Sequence, residues 1–169
     1  MLPATIWSWP AWYVGALVAF GVLLTVIAAH DARTRRIPNA LVYPALAVAF
    51  VLALLQPVAP WWTFVLSGLV AGLAIGSIAA FTGGMGFGDA KLAALIGLLL
   101  GWPATLIGLF AAFAVGAITG VALIAAGVVR RRDPIPFAPA LAVGAAIGLV
   151  AGPTVAGWLW PGLAIASTR

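Results

Sequence analysis

Asp31 and Asp89 are the residues of this sequence best suited to chemistry. The 169-residue chain has only three acidic residues, and these two stand at the ends of long apolar runs. An ionisable residue at a membrane boundary is costly and by default indicates a functional site. Two converging carboxylates share one proton, so one acts as general base on water and the other as general acid. The pair therefore predicts hydrolysis of an amide bond.

Each acid also has a structural interpretation, and the alternatives stay open at this level. Asp31 is followed by three arginines and would then be a solvated loop charge, whereas Asp89 would be a helix N-cap. Asp133 follows three arginines and is interpreted as a loop charge. Cysteine is absent and His30 is the single histidine, so no thiolate nucleophile, disulfide or thiolate zinc site is available.

The composition decides which kind of element must hold these acids. Hydrophobic residues make up 65% of the chain and charged residues 7%, which excludes a soluble domain and a disordered chain. The apolar runs are continuous rather than alternating, which indicates helices and not a transmembrane barrel. A net charge of +5 would suggest nucleic acid in a soluble protein. Here the basic groups flank apolar runs, as the positive-inside rule requires, and no nucleic-acid partner is expected.

The spacing of charges and prolines predicts an all-α, polytopic transmembrane bundle of about six spans. The run from 37 to 88 is long enough for two crossings, with a break at Gln56, Pro57 and Pro60. The run from 92 to 129 is either two crossings broken at Gly101-Trp102-Pro103 or one long helix. Six spans place the basic clusters on one side. The predicted spans are 11–29, 40–55, 61–81, 90–101, 103–128 and 136–157.

This topology has consequences for the site. Both termini lie outside, and Asp31 and Asp89 both lie at the cytoplasmic membrane face. The first span lacks the basic leader of a signal peptide and is interpreted as a retained anchor. No linker is visible, so residues 1–169 are expected to form a single transmembrane peptidase domain.

Glycines recur at four-residue intervals on three predicted helices. Such stripes allow close helix approach, either inside one bundle or along the seam of a homodimer. Packing within the bundle is the favoured interpretation, because three helices carry a stripe. The stripes are Gly68, Gly72 and Gly76; Gly108, Ala112, Gly116 and Gly120; and Gly144, Gly148 and Gly152.

A second kind of glycine cluster precedes Asp89. Gly83, Gly84, Gly86 and Gly88 permit positive φ angles and the close approach of another backbone. A phosphate-binding loop is excluded, because it would need lysine where Asp89 stands. An extended peptide lying against the loop suits the glycine content better.

Three separated motifs resemble those of a known family. They are Asp31 followed six positions later by Ile37-Pro38-Asn39, then Gly86-Phe87-Gly88-Asp89-Ala-Lys91-Leu92, then Ile135-Pro136-Phe137-Ala138-Pro139. In this order they are similar to the motifs of the type IV prepilin peptidases and archaeal preflagellin peptidases, aspartic proteases of the membrane. Ala138 departs from the family pattern, which has glycine there. The resemblance covers nearly the whole chain.

The resemblance implies a role for each matching residue. Asp31 and Asp89 match the two catalytic aspartates, and Gly86 and Gly88 match glycines that shape the surroundings of the second one. Structural or substrate-positioning roles are implied for Pro38, Asn39, Lys91 and Pro136. Family members cut a short basic leader, just before a hydrophobic helix, from type IV pilin-like precursors at the cytoplasmic face. The implied partners are such precursors and membrane lipid in a prokaryotic cytoplasmic membrane, without a cofactor.

One departure from the larger bacterial enzymes affects the expected activity. Those enzymes carry paired Cys-x-x-Cys motifs and also N-methylate the trimmed pilin, whereas this chain has no cysteine. Peptidase activity without methyltransferase activity is therefore expected. Two alternatives remain: a non-catalytic membrane scaffold or small carrier, and an intramembrane protease of the presenilin kind, which shares G-x-G-D. The Ile37-Pro38-Asn39 sequence after Asp31 favours the prepilin peptidases.

Overall fold

The structure, a computed structural model, describes residues 10–55, 59–82, 85–130 and 135–159. These ranges contain six helices and no strand. In chain order they are α1 (Ala11–Thr34), α2 (Asn39–Leu55), α3 (Trp61–Thr82), α4 (Phe87–Leu100), α5 (Ala104–Ala125) and α6 (Ala138–Leu159). Several residues used in the sequence analysis lie outside the described ranges, namely Gln56, Pro57, Gly83, Gly84, Arg131, Arg132 and Asp133.

Each predicted span corresponds to one helix, which confirms the all-α architecture. Two of the differences fall at the acids, because α1 continues to Thr34 rather than 29 and α4 begins at Phe87 rather than 90. Asp31 and Asp89 thus lie within the terminal turns of helices instead of beside them. The choice left open for residues 92–129 is also resolved, since Gly101 takes a φ of +64° and separates α4 from α5.

Prolines explain where four of the helices begin. Pro10, Pro38, Pro60 and Pro103 each directly precede the first helical residue. Their carbonyl oxygens accept hydrogen bonds from the first turn, for example from the amides of Leu41 and Val42 to Pro38. Proline has no N–H of its own to leave without a partner, which suits a helix start in an apolar environment.

The outer surface of the bundle is apolar. Three helices are long and apolar enough to cross a membrane, with mean hydropathies of 2.2 for Ala11–Thr34, 2.2 for Trp61–Thr82 and 2.3 for Ala104–Ala125. Large aliphatic side chains on these helices point outward, including Val22 at 61% and Ile118 at 70% exposure. A surface of this kind belongs in hydrocarbon rather than in water. The chain is therefore a helical membrane protein.

Helix α4 lies at the centre of the bundle. It contacts α2, α3, α5 and α6, and eight of its 14 residues are buried. Its apolar side chains pack in one cluster with Ile27 of α1, Val42 of α2 and Leu141 of α6. The helix that carries Asp89 is therefore held on several sides.

The glycine stripes act within this bundle, which confirms the packing interpretation. A Cβ atom added to Gly72 of α3 would lie 2.9 Å from the Cβ of Ala94 in α4. One added to Gly148 of α6 would lie 2.6 Å from the carbonyl oxygen of Ala104 in α5. Both distances are shorter than side chains allow, so glycine is required for helices this close.

Candidate active site

Asp31 lies in the last turn of α1 with its side chain turned into the protein. Only 5% of the residue is exposed, and Oδ2 accepts a hydrogen bond of 3.2 Å from the backbone amide of Ala138. Ala138 is the first residue of α6, where amides have no partner inside the helix. A remote helix start thus binds the Asp31 carboxylate.

The chain turns sharply at Arg35, one helical turn after Asp31. Arg35 takes the left-handed conformation, with φ of 54°, and its amide donates to the carbonyl oxygen of Asp31 at 2.7 Å. Arg33, Arg35 and Arg36 are all exposed and form no ion pair with any residue in the described ranges. The alternative that Asp31 is a solvated loop charge is therefore wrong. The arginines face solvent, whereas the carboxylate is buried.

Asp89 lies in the first turn of α4 and is 7% exposed. Its Oδ2 accepts a hydrogen bond of 3.1 Å from the amide of Gly86, and its own amide donates to the carbonyl of Gly86 at 3.0 Å. Gly86 is the N-cap residue, so Asp89 caps the helix from the third helical position rather than as the N-cap itself. A carboxylate is also stabilised there by the helix dipole.

The two carboxylates lie at the same end of the bundle, where Ile37 packs on Gly88. Asp31 is close enough to act electrostatically on Asp89, although 57 residues lie between them in the sequence. Within the described part of the chain, each accepts a hydrogen bond through Oδ2, and neither Oδ1 accepts one. The arrangement presents two buried acid groups, each with one oxygen fixed by a backbone amide.

The second glycine of the G-x-G-D motif connects two of the motifs. A Cβ atom on Gly88 would lie 2.9 Å from the Cβ of Ile37, closer than real side chains come. At Gly86 the nearest atom would be Oδ2 of Asp89 at 3.5 Å, an ordinary contact. Gly88 is therefore needed so that Ile37 can pack beside Asp89, whereas Gly86 mainly supplies its amide.

Lys91 and Asn39 are also brought together. The Lys91 Nζ atom donates a hydrogen bond of 2.8 Å to Oδ1 of Asn39 and lies 4.6 Å from the centre of the Tyr43 ring. These contacts tie the start of α4 to the start of α2, two residues beyond Asp89. Pro38 accepts the first amides of α2, as described above. Pro136 is half-buried two residues before α6, and no described hydrogen bond joins it to either carboxylate.

Two contributors were missed by sequence reasoning. The amide of Ala138 was part of the third motif, but a backbone donor leaves no signature in residue type. The motif did indicate the start of α6. Because the first amides of a helix lack partners within it, that start was the signal that could have predicted a backbone donor here. Tyr43 was not singled out, although it follows Asn39 by one helical turn and lies on the same face.

Comparison with known proteins places the chain in a family. It matches the model of the type IV leader peptidase family over residues 6–121, about two thirds of its length. The chain belongs to this family. The matched range contains both aspartates of the site and ends before the third motif.

Several members of the family are similar over most of this chain. The prepilin leader peptidase/N-methyltransferase of Bacillus subtilis (strain 168) is 34% identical over 139 residues, covering 82% of this chain and 56% of that protein. The protein of the same name from Aeromonas salmonicida (strain A449) is 32% identical over 155 residues, covering 88% and 53%. The chain thus spans about half the length of the curated relatives that it matches. No solved structure matches it.

Proposed function

We propose that the chain is an aspartic endopeptidase that removes the leader from type IV pilin-like precursors. The observation that carries the proposal is the pair formed by Asp31 and Asp89. Both carboxylates are buried, both are fixed through Oδ2 by a backbone amide, and Asp31 is near enough to act electrostatically on Asp89. Family membership and the names of the relatives support prepilin leaders as the substrate class.

The pair supplies both functions that amide hydrolysis needs. Because two nearby carboxylates disfavour joint ionisation, one is protonated and the other ionised. The ionised carboxylate takes a proton from water as its oxygen attacks the scissile carbonyl carbon, and the protonated one hydrogen-bonds the carbonyl oxygen. Transfer of a proton to the amide nitrogen then breaks the carbon–nitrogen bond and releases the leader. No metal or cofactor takes part in this scheme.

The backbone amides keep the catalytic geometry in place. Oδ2 of each aspartate is occupied, which leaves Oδ1 for water and substrate. The glycine segment before α4 offers backbone to an extended peptide at the junction. We assign positioning roles to Gly86, Gly88 and Lys91 with Asn39, and shaping roles to Pro38 and Pro136 at the helix starts.

The site is proposed to face the cytoplasm of a prokaryotic cell, since the basic groups cluster at that end of the predicted topology. A single transmembrane peptidase domain over residues 1–169 is in keeping with the contacts that α4 makes to four other helices. The exposed arginines beside Asp31 would repel a basic leader. They instead suit topology and anionic lipid, with substrate entering laterally between helices.

The test is cleavage of a co-expressed precursor that carries a basic leader and an apolar helix. Asp31→Asn and Asp89→Asn should each slow cleavage by about 100-fold or more, because neither variant keeps the acid–base pair. Asparagine retains an oxygen that can accept the amide hydrogen bond, so the fold is preserved. Asp133→Asn, which replaces the third acid, is the matched control and should cleave normally.

The same experiment separates the alternatives. A non-catalytic scaffold would tolerate both substitutions and leave the precursor uncut with the unsubstituted chain as well. Cleavage that persists in both Asp31→Asn and Asp89→Asn would contradict the assignment of the pair. Assay of N-methylation on the trimmed product tests the expectation that methyl transfer is absent.

A further inference from the structure

An apolar groove of about 320 Å³ lies between α1, α4 and α6. Among the residues that the structure describes, those that line it are all uncharged, and one of them, a threonine, has a polar side chain. The lining residues include Leu17, Gly21 and Thr25 of α1, Leu100 of α4, and Ala142 and Leu149 of α6. The proposed catalytic scheme leaves this groove without a role.

The three helices that line the groove are those that build the site. Asp31 is on α1, Asp89 is on α4 and the amide that binds Asp31 is on α6. A helix rises about 1.5 Å per residue, so Thr25 lies about 9 Å before Asp31 along α1 and Ala142 about 6 Å beyond Ala138 along α6. The groove therefore begins one to two helical turns from the carboxylates and runs away from them into the membrane.

The groove is open toward the surroundings of the bundle. Gly21, Thr25 and Ala146 line it and are all exposed. A Cβ atom added to Gly21 would meet no atom within 4 Å. Small residues on an outward face leave room for side chains of a partner helix, as at helix contacts within membranes.

We propose that this groove receives the apolar helix that follows the leader in the substrate. The inference rests on the proposed function, because a precursor whose scissile bond lies at the two aspartates must continue beside the same three helices. An apolar helix fits an uncharged groove in hydrocarbon, with its side chains filling the space that Gly21 leaves. The groove thus contributes to the recognition of precursors through their apolar segment.

A second groove on the other side of α1 is less suited to this role. It measures about 260 Å³ and is lined by α1 and α2, for example by Ala19 and Pro44. None of the described side chains of α4 or α6 contributes to it. It is therefore not continuous with the helix that carries Asp89 or with the amide that binds Asp31, and it serves as an internal comparison.

The geometry also fixes the direction of the bound helix. Helix α1 runs toward Asp31, whereas the substrate helix runs away from the scissile bond. The two helices are therefore antiparallel. The substrate residue next to Thr25 should lie about four positions nearer the cleaved bond than the residue next to Gly21, since both helices rise equally per residue.

Filling the groove tests the proposal. Gly21→Trp should slow cleavage of a precursor that has the full apolar helix. The fold-loss in rate on this precursor should be about ten times the fold-loss on a short leader-junction peptide that lacks the helix. Gly15→Trp is the matched control, because Gly15 is also an exposed glycine of α1 with no atom within 4 Å of an added Cβ. It lies outside the groove lining and should leave both rates unchanged.

The outcomes distinguish the groove from the chemistry. Loss of cleavage of both substrates in Asp31→Asn confirms the site, and a wild-type chain that cuts neither contradicts the proposed function. Equal rates for Gly21→Trp and wild type on the full precursor would overturn the groove alone, and so would equal losses on both substrates. If the groove holds only lipid, Gly21→Trp and wild type should cut the full precursor at equal rates.

Cysteine crosslinking gives a second measurement, since the chain has no cysteine. In an Asp31→Asn background, which retains the uncut precursor, single cysteines at Thr25 and Gly21 should form disulfides with the substrate helix in the antiparallel register. A single cysteine at Ala19, in the second groove, should not. Crosslinks between two copies of this chain at Gly21, or substrate crosslinks at Ala19 alone, would overturn the proposal.

Discussion

The ends of α1 and α4 hold chemically identical groups in different ways. Asp89 is bound by the amide of Gly86, three residues earlier in the same turn. Asp31 is bound by the amide of Ala138, which lies 107 residues later and begins another helix. Both residues are almost equally buried, at 7% and 5% exposure.

The Asp89 carboxylate is therefore positioned by a hydrogen bond within its own turn, whereas the Asp31 carboxylate is positioned by a tertiary contact. The hydrogen bond between Asp89 and Gly86 lies within the first turn of α4, so it forms as soon as α4 forms. The position of Asp31 depends on the docking of α6 against α1. We therefore expect Asp31 to be the more sensitive of the two to changes far from it in the sequence.

Among changes that leave both aspartates in place, removing the remote donor should have the largest effect. Ala138→Pro removes the amide hydrogen of the first residue of α6. Proline is otherwise well tolerated at the first position of a helix. We expect cleavage to fall by about 100-fold, because a buried charge-assisted hydrogen bond to Asp31 is lost. Ala138→Gly keeps the N–H and is the matched control, measured in the same precursor assay. Activity of Ala138→Pro near that of Ala138→Gly would show that the amide does not position Asp31.

Removing the local donor should have a smaller effect. Gly86→Pro deletes the amide that binds Asp89, and the φ of −84° at this N-cap is close to the value that proline imposes. We expect cleavage to fall by about tenfold. The loss is smaller because Asp89 stays in the first turn of α4 and is still stabilised by the helix dipole. Gly86→Ala preserves the N–H and only an ordinary contact is added. A larger loss for Gly86→Pro than for Ala138→Pro would reverse the comparison of the two ends.

The contact between the two motifs predicts a change in stability. Gly88→Ala places a methyl group 2.9 Å from the Cβ of Ile37, so the free energy of unfolding should fall by about 1–3 kcal/mol. Thermal unfolding in detergent would measure it. Ile37→Ala in the same chain removes Cδ1 and Cγ1, which lie 3.1 and 3.3 Å from the added methyl group, but keeps the Cβ. It should therefore recover only part of the loss relative to Ile37→Ala alone. Simple addition of the two effects would exclude direct crowding.

The smallest effect is expected at the exposed polar contact. Lys91→Met removes the hydrogen bond to Asn39 and the contact with the Tyr43 ring. The free energy of unfolding should fall by about 1 kcal/mol or less, because Asn39 is exposed and water replaces the bond. A double-mutant cycle with Asn39→Ala would show coupling of the same size. A loss of activity without a loss of stability would instead place Lys91 in contact with substrate.

Much of the fold could be predicted because its determinants are local. Apolar run length and the prolines before the helices act within a few residues, and the six helices follow from them. The exact ends at Asp31 and Asp89 could not be predicted, because hydrogen bonds extend both helices over charged residues. The two site aspartates and the G-x-G-D motif were identified from sequence, whereas the binding partner of each carboxylate was not.

The sequence by itself determined that the chain is a helical membrane protein with two acids at the ends of apolar segments. The scarcity of charge makes any other environment too costly, and this depends on composition alone. Only the tertiary structure decided that Ala138 supplies the amide for Asp31 and that Ile37 packs on Gly88. It also decided that α1, α4 and α6 enclose a groove below the site. These features depend on which helices pack together, and a backbone amide or an empty space has no residue type by which a sequence could reveal it.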